Sequence, residues 1–268
     1  MKKIITFIFI GSVLYLTYMF FLNNIDEKYY LNEKENNDTF RNIYNTLAVD
    51  KISISKKEVE EKSTLKVNRT PLYYIYNTHQ TEEYGRDLYY LNPTVISLSY
   101  MINDRLNELG KYGIVEERDV LEEVKKIGGD YKYTYDVTWN FMNEISENNK
   151  SIKYFFDIHR DGVSKDISTA SINNKSYAKI MFLSGERHSK YKENLKNISI
   201  MEKYLNEKYP GILRNTYHQS KYSYNQEFSS FTFLIEVGGE YNSIEEVYNS
   251  SIALGDAINY LIEETYEK

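Results

Sequence analysis

The chain has 268 residues, a formal net charge of −6 at pH 7, and a composition that is 41% hydrophobic and 27% charged. This size suits one domain as large as a typical catalytic domain plus an anchor, but hardly two large domains, and the composition is that of a folded rather than a disordered protein. An acidic balance argues against a general nucleic-acid binder, whose mark is a basic patch. The absence of cysteine excludes disulfides, cysteine nucleophiles and thiolate metal sites, so a metal would be held by histidine and carboxylate side chains.

The amino-terminal segment has the features of a membrane anchor. Two lysines precede an uncharged, mostly apolar run at residues 4–22, and two acidic residues follow it. About 20 such residues are needed to cross a bilayer as a helix. The lysines predict a cytoplasmic N-terminus and an extracytoplasmic position for the rest of the chain. A cleaved signal peptide is the alternative, but its apolar core is usually about 7–15 residues long and ends at small residues, which the segment MFFLNN at 19–24 does not offer.

Three regions are predicted along the chain. Residues 1–23 form the cytoplasmic tip and the transmembrane anchor, and residues 24–69 form a polar stalk, with short helices at 37–48 and 56–63. Residues 70–268 form the catalytic domain, where strand and helix patterns alternate. This alternation predicts an α/β fold, a three-layer sandwich in which helices flank both faces of a mostly parallel sheet. The predicted strands are 72–77, 114–115, 152–158, 177–183, 211–217 and 231–237, and the predicted helices are 93–109, 137–145, 190–209 and 243–264.

Ionisable residues accompany three of the predicted strands. The first strand runs into the segment THQTEE at 78–83, the third contains Asp157 and leads to His159, and the last contains Glu236. In open parallel sheets, catalytic groups gather at the carboxyl ends of the strands. A carboxylate inside the apolar run FTFLIEV is costly to bury unless it is paired or bound to a metal. The three segments therefore predict a common site.

The residue types in these segments suit a zinc hydrolase. Catalytic zinc takes three protein ligands and leaves one position for water, and His79, Glu82 and His159 would supply such a set. Glu236 would remain as the general base that takes a proton from the attacking water. Asp157, two residues before His159 on the same strand face, would orient the imidazole.

Each of these residues also has a structural interpretation. His79 would suit a loop or a cap, and His159 would suit a salt-bridged turn with the Arg and Asp that follow it. Glu82 and Glu83 would suit the first turn of a helix, where the helix dipole favours acids. The two remaining histidines, at positions 188 and 218, stand in polar surroundings and are interpreted as surface or structural residues.

Three segments together resemble the stage II sporulation protein P family. They are YIYNTHQTEEY at 74–84, FDIHRDG at 156–162, and YNQEFSSFTFLIEVGGEYNSIEEV at 224–247. Their order, spacing and character match the family across residues 70 to 265. One departure is Asn77, which stands where the family often has a further histidine.

The resemblance assigns a role to each matching residue. His79 and His159 correspond to metal-binding histidines of the family. Glu82 corresponds to the glutamate of an HTHTSE-like segment, which favours it over Glu83 as the third ligand. Glu236 corresponds to the glutamate of an LIEVGG-like motif.

The resemblance also implies a function and partners. The family comprises membrane-anchored peptidoglycan hydrolases that endospore formers use in engulfment of the forespore. It implies a zinc-dependent N-acetylmuramoyl-L-alanine amidase with a fold related to bacterial amidases, and a second, endopeptidase activity on peptide cross-links. The implied partners are sporulation protein D, a lytic transglycosylase, and protein M, a membrane scaffold.

Three further residues have hypothetical roles in this reaction. Arg160 would help the metal to stabilise the oxyanion that develops during hydrolysis. Asn225 and Gln226 would either hold the stem-peptide backbone of the substrate or brace their own loop.

Two other functions remain open from the sequence. The same fold could bind peptidoglycan or a partner without cutting, although such modules usually lose ligands and here the candidate set is complete. A zinc carboxypeptidase acting on the same polymer is the other alternative.

Overall fold

The computed structural model describes residues 70–85 and 93–266, which belong to the second of two compact units, Ile52–Lys268. The predicted anchor, the stalk and the short helices at 37–48 and 56–63 lie outside the described residues. In the part of the chain that is described, no helix is both long enough and apolar enough to cross a membrane.

Strands and helices alternate through most of the described chain. The strands are β1 (Tyr73–Tyr76), β2 (Gly113–Val115), β3 (Tyr154–Asp161), β4 (Thr169–Ile172), β5 (Lys175–Ala178), β6 (Ile180–Gly185), β7 (Tyr217–Gln219) and β8 (Thr232–Gly239). The helices are α1 (Val95–Glu108), α2 (Val120–Lys126), α3 (Thr134–Asn148), α4 (Lys165–Ser168), α5 (Tyr191–Lys208) and α6 (Ile244–Tyr266), and a 3-10 turn spans Tyr131–Tyr133.

Six of these strands form one sheet, in the order β2-β1-β3-β8-β6-β7. β2, β1, β3 and β8 run parallel to one another. β6 runs antiparallel to β8, and β7 runs parallel to β6. The sheet is therefore mostly parallel, as predicted, and the carboxyl ends of β1, β3 and β8 meet at the same edge.

Alternate side chains of the buried strands face two different hydrophobic clusters. Ile75 and Phe156 belong to the larger cluster, together with residues of α1, α5 and α6. Tyr74 and Phe155 belong to the smaller one, together with residues of α2 and α3. Because successive residues of a strand point to opposite faces, this division places helices on both sides of the sheet. The three-layer arrangement predicted from the sequence is present.

Local sequence signals fix the ends of two long helices. At the start of α1, the Thr94 hydroxyl accepts a hydrogen bond from the Ile96 N–H. Just after the end of α1, Gly110 has a φ angle of +76°, which glycine adopts at little steric cost. At the start of α6, Ser243 and Glu246 form the reciprocal pair predicted from their spacing. The Ser243 N–H donates to the carboxylate at 2.8 Å, and the Glu246 N–H donates to the hydroxyl at 3.3 Å.

Two strand predictions were wrong. The run at 177–183 is not one strand but the end of β5 and the start of β6, separated at Lys179, whose N–H donates to the carbonyl of Ser168. The run at 211–217 forms only an isolated bridge between Leu213 and Ile180, and β7 begins at its last residue. In both cases pairing with distant residues, which a local pattern does not contain, decides where extended structure begins.

Candidate metal centre

The turn after β1 carries His79, and the residue before it fixes this turn to β3. The backbone N–H and the hydroxyl of Thr78 donate to the two carboxylate oxygens of Asp157, at 2.9 Å and 2.6 Å. The His79 ring then meets the edge of the His159 ring, with 4.9 Å between the centroids. The chain thus brings together two histidines that are 80 positions apart in sequence.

Glu82 lies between the two histidines and receives contacts from three sides. Its Oε1 is 3.3 Å from Nδ1 of His79, and its Oε2 is 3.4 Å from Nδ1 of His159. The backbone N–H of Arg160 donates to Oε2 at 2.8 Å. Burial acts to raise the pKa of Glu82, but the charge of His159 and the hydrogen bonds from both histidines and Arg160 lower that pKa to about 2. The carboxylate is therefore charged at neutral pH.

His159 is buried on β3, next to two carboxylates. Its Nε2 lies 2.9 Å from Oδ1 of Asp157, a contact that lacks the alignment of a hydrogen bond, and its Nδ1 faces Glu82. Burial acts to lower the pKa of His159, but Asp157 and Glu82 outweigh burial and raise that pKa well above its ordinary value. Asp157 occupies the position that the sequence predicted, beside the imidazole and on the same strand face.

β8 places Glu236 next to His159. The two residues are register partners on neighbouring parallel strands, which lie about 4.8 Å apart. Oε2 of Glu236 is buried and has no hydrogen-bond partner among the described residues. Burial raises the pKa of Glu236 to about 7; His159 opposes this rise, and the carboxylates of Glu82, Asp161 and Asp157 add to it.

The three residues form a candidate metal-binding cluster. One ligand atom from each of His79, Glu82 and His159 lies within 4.8 Å of the other two. Two imidazoles and a carboxylate are a donor set that suits a divalent metal such as zinc. The two histidine–glutamate contacts, at 3.3 Å and 3.4 Å, involve different oxygens of Glu82. Glu83 is not in the cluster, and its backbone instead bridges to Thr94.

The side chain of Arg160 is fixed beside the cluster. Its Nε donates to the backbone carbonyl of Glu83 at 3.0 Å, while its own N–H holds Glu82. Arg160 therefore connects β3 to the segment that follows β1, and it brings a positive charge to the edge of the site.

Asn225 and Gln226 hold the loop that precedes β8. The amide of Asn225 donates to the Tyr135 carbonyl at 2.8 Å. The amide of Gln226 donates to the Leu183 carbonyl at 2.8 Å and accepts from the Gly185 N–H at 3.0 Å. Of the two roles that the sequence left open for this pair, bracing the loop is the one that these hydrogen bonds perform.

Two tyrosines contact the cluster and were not identified from the sequence. The Tyr131 ring stacks on His79 with centroids 5.0 Å apart, and the Tyr135 ring meets His79 edge-on at 5.6 Å. Burial raises the pKa of Tyr135, and the nearby carboxylate of Asp157 raises it further. The Tyr135 hydroxyl therefore stays neutral. In the segment DYKYTYD at 130–136, the first and third tyrosines are four residues apart, a spacing that places two side chains on the same face of a helix. The sequence does not show which element that face contacts.

The other two histidines lie outside this cluster. His218 is exposed on β7, and its Nδ1 is 2.6 Å from Oε1 of Glu186. His188 follows β6, and burial lowers its pKa. The exposed position of His218 agrees with the surface interpretation made from the sequence.

Comparison with known proteins gives the family. The family model described as Stage II sporulation protein P (SpoIIP) matches residues 9–259. The chain belongs to this family. The Stage II sporulation protein P of Bacillus subtilis (strain 168) is 29% identical over 199 residues, which cover 69% of this chain and 50% of that relative. The chain thus spans about half the length of this curated relative. The family predicted from three sequence segments is confirmed, and His79, Glu82, His159 and Glu236 all lie in the matched range.

Among solved structures, the chain is similar to the N-acetylmuramoyl-L-alanine amidase AmiC2 of Nostoc punctiforme. The likeness covers 74% of this chain and 98% of that one, at 13% sequence identity and a TM-score of 0.43. At that score it is a weak likeness.

Proposed function

We propose that this protein is a zinc-dependent N-acetylmuramoyl-L-alanine amidase, which hydrolyses the amide bond between glycan and stem peptide in peptidoglycan. Endopeptidase cleavage of cross-links would be its second activity, and engulfment of the forespore its setting. The observation that carries this proposal is the convergence of His79, Glu82 and His159 next to Glu236. Membership in a sporulation protein family supports the cell-wall substrate.

In the proposed reaction His79, Glu82 and His159 would hold zinc at the carboxyl edge of the sheet. Zinc in such a site supplies a Lewis acid for the amide carbonyl and lowers the pKa of water. His159 would offer Nδ1, the nitrogen that faces Glu82, because Nε2 is next to Asp157. Asp157 keeps the imidazole in this orientation and is itself held by Thr78.

Glu236 acts as the general acid and base. It accepts a proton from the attacking water and returns it to the nitrogen of the leaving amine. The position of Glu236 beside His159 on the neighbouring strand places it at the metal centre for this proton transfer. Its buried Oε2 has no partner among the described residues and is therefore available for the proton.

Arg160 assists at the carbonyl oxygen. Its guanidinium, fixed by the Glu83 carbonyl, adds positive charge at the edge of the site. Positive charge held in place favours the negative charge that develops on the oxygen during attack.

We also propose the location and partners that the sequence suggested. The apolar run at residues 4–22 anchors the chain, and the catalytic domain faces outward, toward the cell wall around the forespore. Sporulation protein D would act on the glycan that this protein strips, and protein M would hold the assembly at the membrane.

Product analysis of digested peptidoglycan by mass spectrometry tests the proposal. An amidase releases intact stem peptides that carry no sugar, whereas a carboxypeptidase leaves shortened peptides still attached to sugar. We expect Glu236→Gln to lose about 10²- to 10⁴-fold in rate, the usual contribution of a general acid–base, and to keep its zinc. Glu202→Gln on α5, a glutamate that accepts from the Thr216 hydroxyl, is the matched control and should cut normally. Shortened peptides, or a zinc-loaded protein that releases nothing, would favour the carboxypeptidase or the binding module instead.

A further inference from the structure

Three tyrosine rings lead from the metal centre to the surface. Tyr135 contacts His79, with 5.6 Å between ring centroids. Tyr224 contacts Tyr135 at 5.7 Å, and Tyr222 contacts Tyr224 at 5.8 Å. Tyr222 is 58% exposed, so the far end of these contacts is open to solvent and accessible to a ligand. We refer to Tyr135, Tyr224 and Tyr222 as the tyrosine row.

The backbone under the row is strained and held in place. Tyr224 and Asn225 both have left-handed φ angles, +53° and +59°, which a bulky residue such as tyrosine rarely adopts. The Asn225 amide ties this segment to the helix that carries Tyr135, through the Tyr135 carbonyl at 2.8 Å and the Thr138 hydroxyl at 3.2 Å. Strain that the surrounding hydrogen bonds maintain is concentrated at functional sites in proteins. The row is thus a preformed surface.

The chemistry of the row favours a neutral, amphipathic ligand. A tyrosine presents a flat apolar face and a polar rim, and it loses little conformational entropy when a ligand covers it. The hydroxyl groups of the three tyrosines are neutral hydrogen-bond donors and acceptors. A pyranose ring has the matching shape, with C–H groups on its face and hydroxyl and acetamido groups at its rim.

We propose that the tyrosine row is a binding subsite for the glycan strand, a β-linked chain of N-acetylhexosamines. This inference rests on the proposed function, in which the bond to be cut joins a peptide to one sugar of that strand. With this sugar at the metal centre, the neighbouring sugars lie along Tyr224 and Tyr222. The row therefore sets a preference for substrates in which the peptide is still attached to a polymeric glycan.

The test is binding of chitotetraose, a soluble, peptide-free chain of N-acetylglucosamine, to the full chain. Titration followed by saturation-transfer NMR gives the affinity without any turnover. We expect Tyr222→Ala to weaken binding about three- to tenfold, the range of one aromatic contact, and Tyr222→Trp to restore it. Within the row, Tyr222 contacts Tyr224, and Tyr135 is the residue that contacts a metal ligand. Replacing Tyr222 should therefore leave hydrolysis of a muramyl peptide with a single sugar unchanged.

Tyr266→Ala is the matched control. Tyr266 is 49% exposed at the end of α6, where Lys153 lies 5.7 Å from its ring, next to the amino end of β3. That is the far edge of the sheet from the metal centre, and this variant should bind chitotetraose as the wild type does. Chitotetraose that does not bind the wild type, or binds Tyr222→Ala equally well, would overturn the proposal. So would a Tyr222→Ala variant that loses affinity for a free stem peptide and not for the sugar. Failure of the amidase function appears separately, in the mass spectrum of the products, because sugar binding is measured without cleavage.

Discussion

Replacing Asp157 by asparagine tests how the centre is built. Asp157 is fully buried, and its Oδ1 is 2.9 Å from Nε2 of His159. Asparagine has the same shape and keeps an acceptor for the Thr78 N–H, but it removes the negative charge beside the imidazole. We expect the ring of His159 to lose its fixed orientation and to become a weaker ligand for zinc.

The expected loss follows from the kind of contact that is removed. Partners of metal-bound histidines contribute about 10- to 100-fold to metal affinity, which corresponds to about 1.4–2.8 kcal/mol. Solvent does not reach Asp157, so water does not replace the lost contact in the variant.

Competition with a chelator of known affinity measures zinc binding in the wild type and in Asp157→Asn. The matched control is Asp256→Asn on α6, which removes a carboxylate that accepts from Nε of Arg105 at 2.7 Å, away from the centre. This control should lower the free energy of unfolding and leave zinc affinity unchanged. If Asp157→Asn binds zinc as tightly as the wild type while remaining folded, the assignment of Asp157 to His159 is wrong.

Three further changes have expected outcomes. Thr78→Val removes the hydroxyl that donates to Asp157 at 2.6 Å, so unfolding measurements should show a loss of about 1 kcal/mol, and zinc affinity should fall less than in Asp157→Asn. Gly113→Ala would place a Cβ 2.2 Å from the ring of Tyr73 and should destabilise the fold by about 1–3 kcal/mol, whereas Gly162→Ala, with nothing within 4 Å, should be nearly neutral; equal losses in denaturant titrations would refute this packing. Burial acts to raise the pKa of Glu116, but hydrogen bonds from Arg118 and Tyr74 lower that pKa below its ordinary value of 4.5. The charged Glu116 therefore stabilises the folded state above pH 4.5, and this contribution is lost as the pH falls through the pKa of Glu116 in the folded protein. Glu116→Gln should therefore flatten the acid side of a plot of unfolding free energy against pH, and an unchanged slope would contradict the assignment.

Much of the site was predictable because it depends on the ends of strands. Apolar runs followed by ionisable residues placed His79, His159 and Glu236 at one edge of the sheet, and the register of β3 and β8 confirms that two of them are neighbours. The choice of Glu82 over Glu83 came from the family resemblance, and the ligand cluster contains Glu82. No pattern in the sequence gives the hydrogen bond from the Arg160 N–H, which is what holds Glu82 in place.

The elements that the sequence did not predict are either short or depend on contacts between residues that are far apart in the chain. The hairpin of β4 and β5 turns at Asn173 and Asn174, both with positive φ, and a pair of asparagines between two short runs is a recognisable turn signal. Helix α2 is capped by Asp119, which accepts from the Glu122 N–H, but its seven residues are too few for a clear helical period. The contacts of Tyr131 and Tyr135 with His79 arise only when α3 packs against the sheet, so they could not be read from the order of residues.

The most direct test of the proposed metal centre is the zinc content of the purified full chain, measured by mass spectrometry of the metal, next to a His159→Ala variant. The same two samples are tested for release of stem peptides from peptidoglycan. We predict about one zinc per chain in the wild type and loss of both zinc and activity in the variant. A metal-free wild type that still cuts the wall, or a variant that keeps its zinc and its activity without His159, would contradict the account.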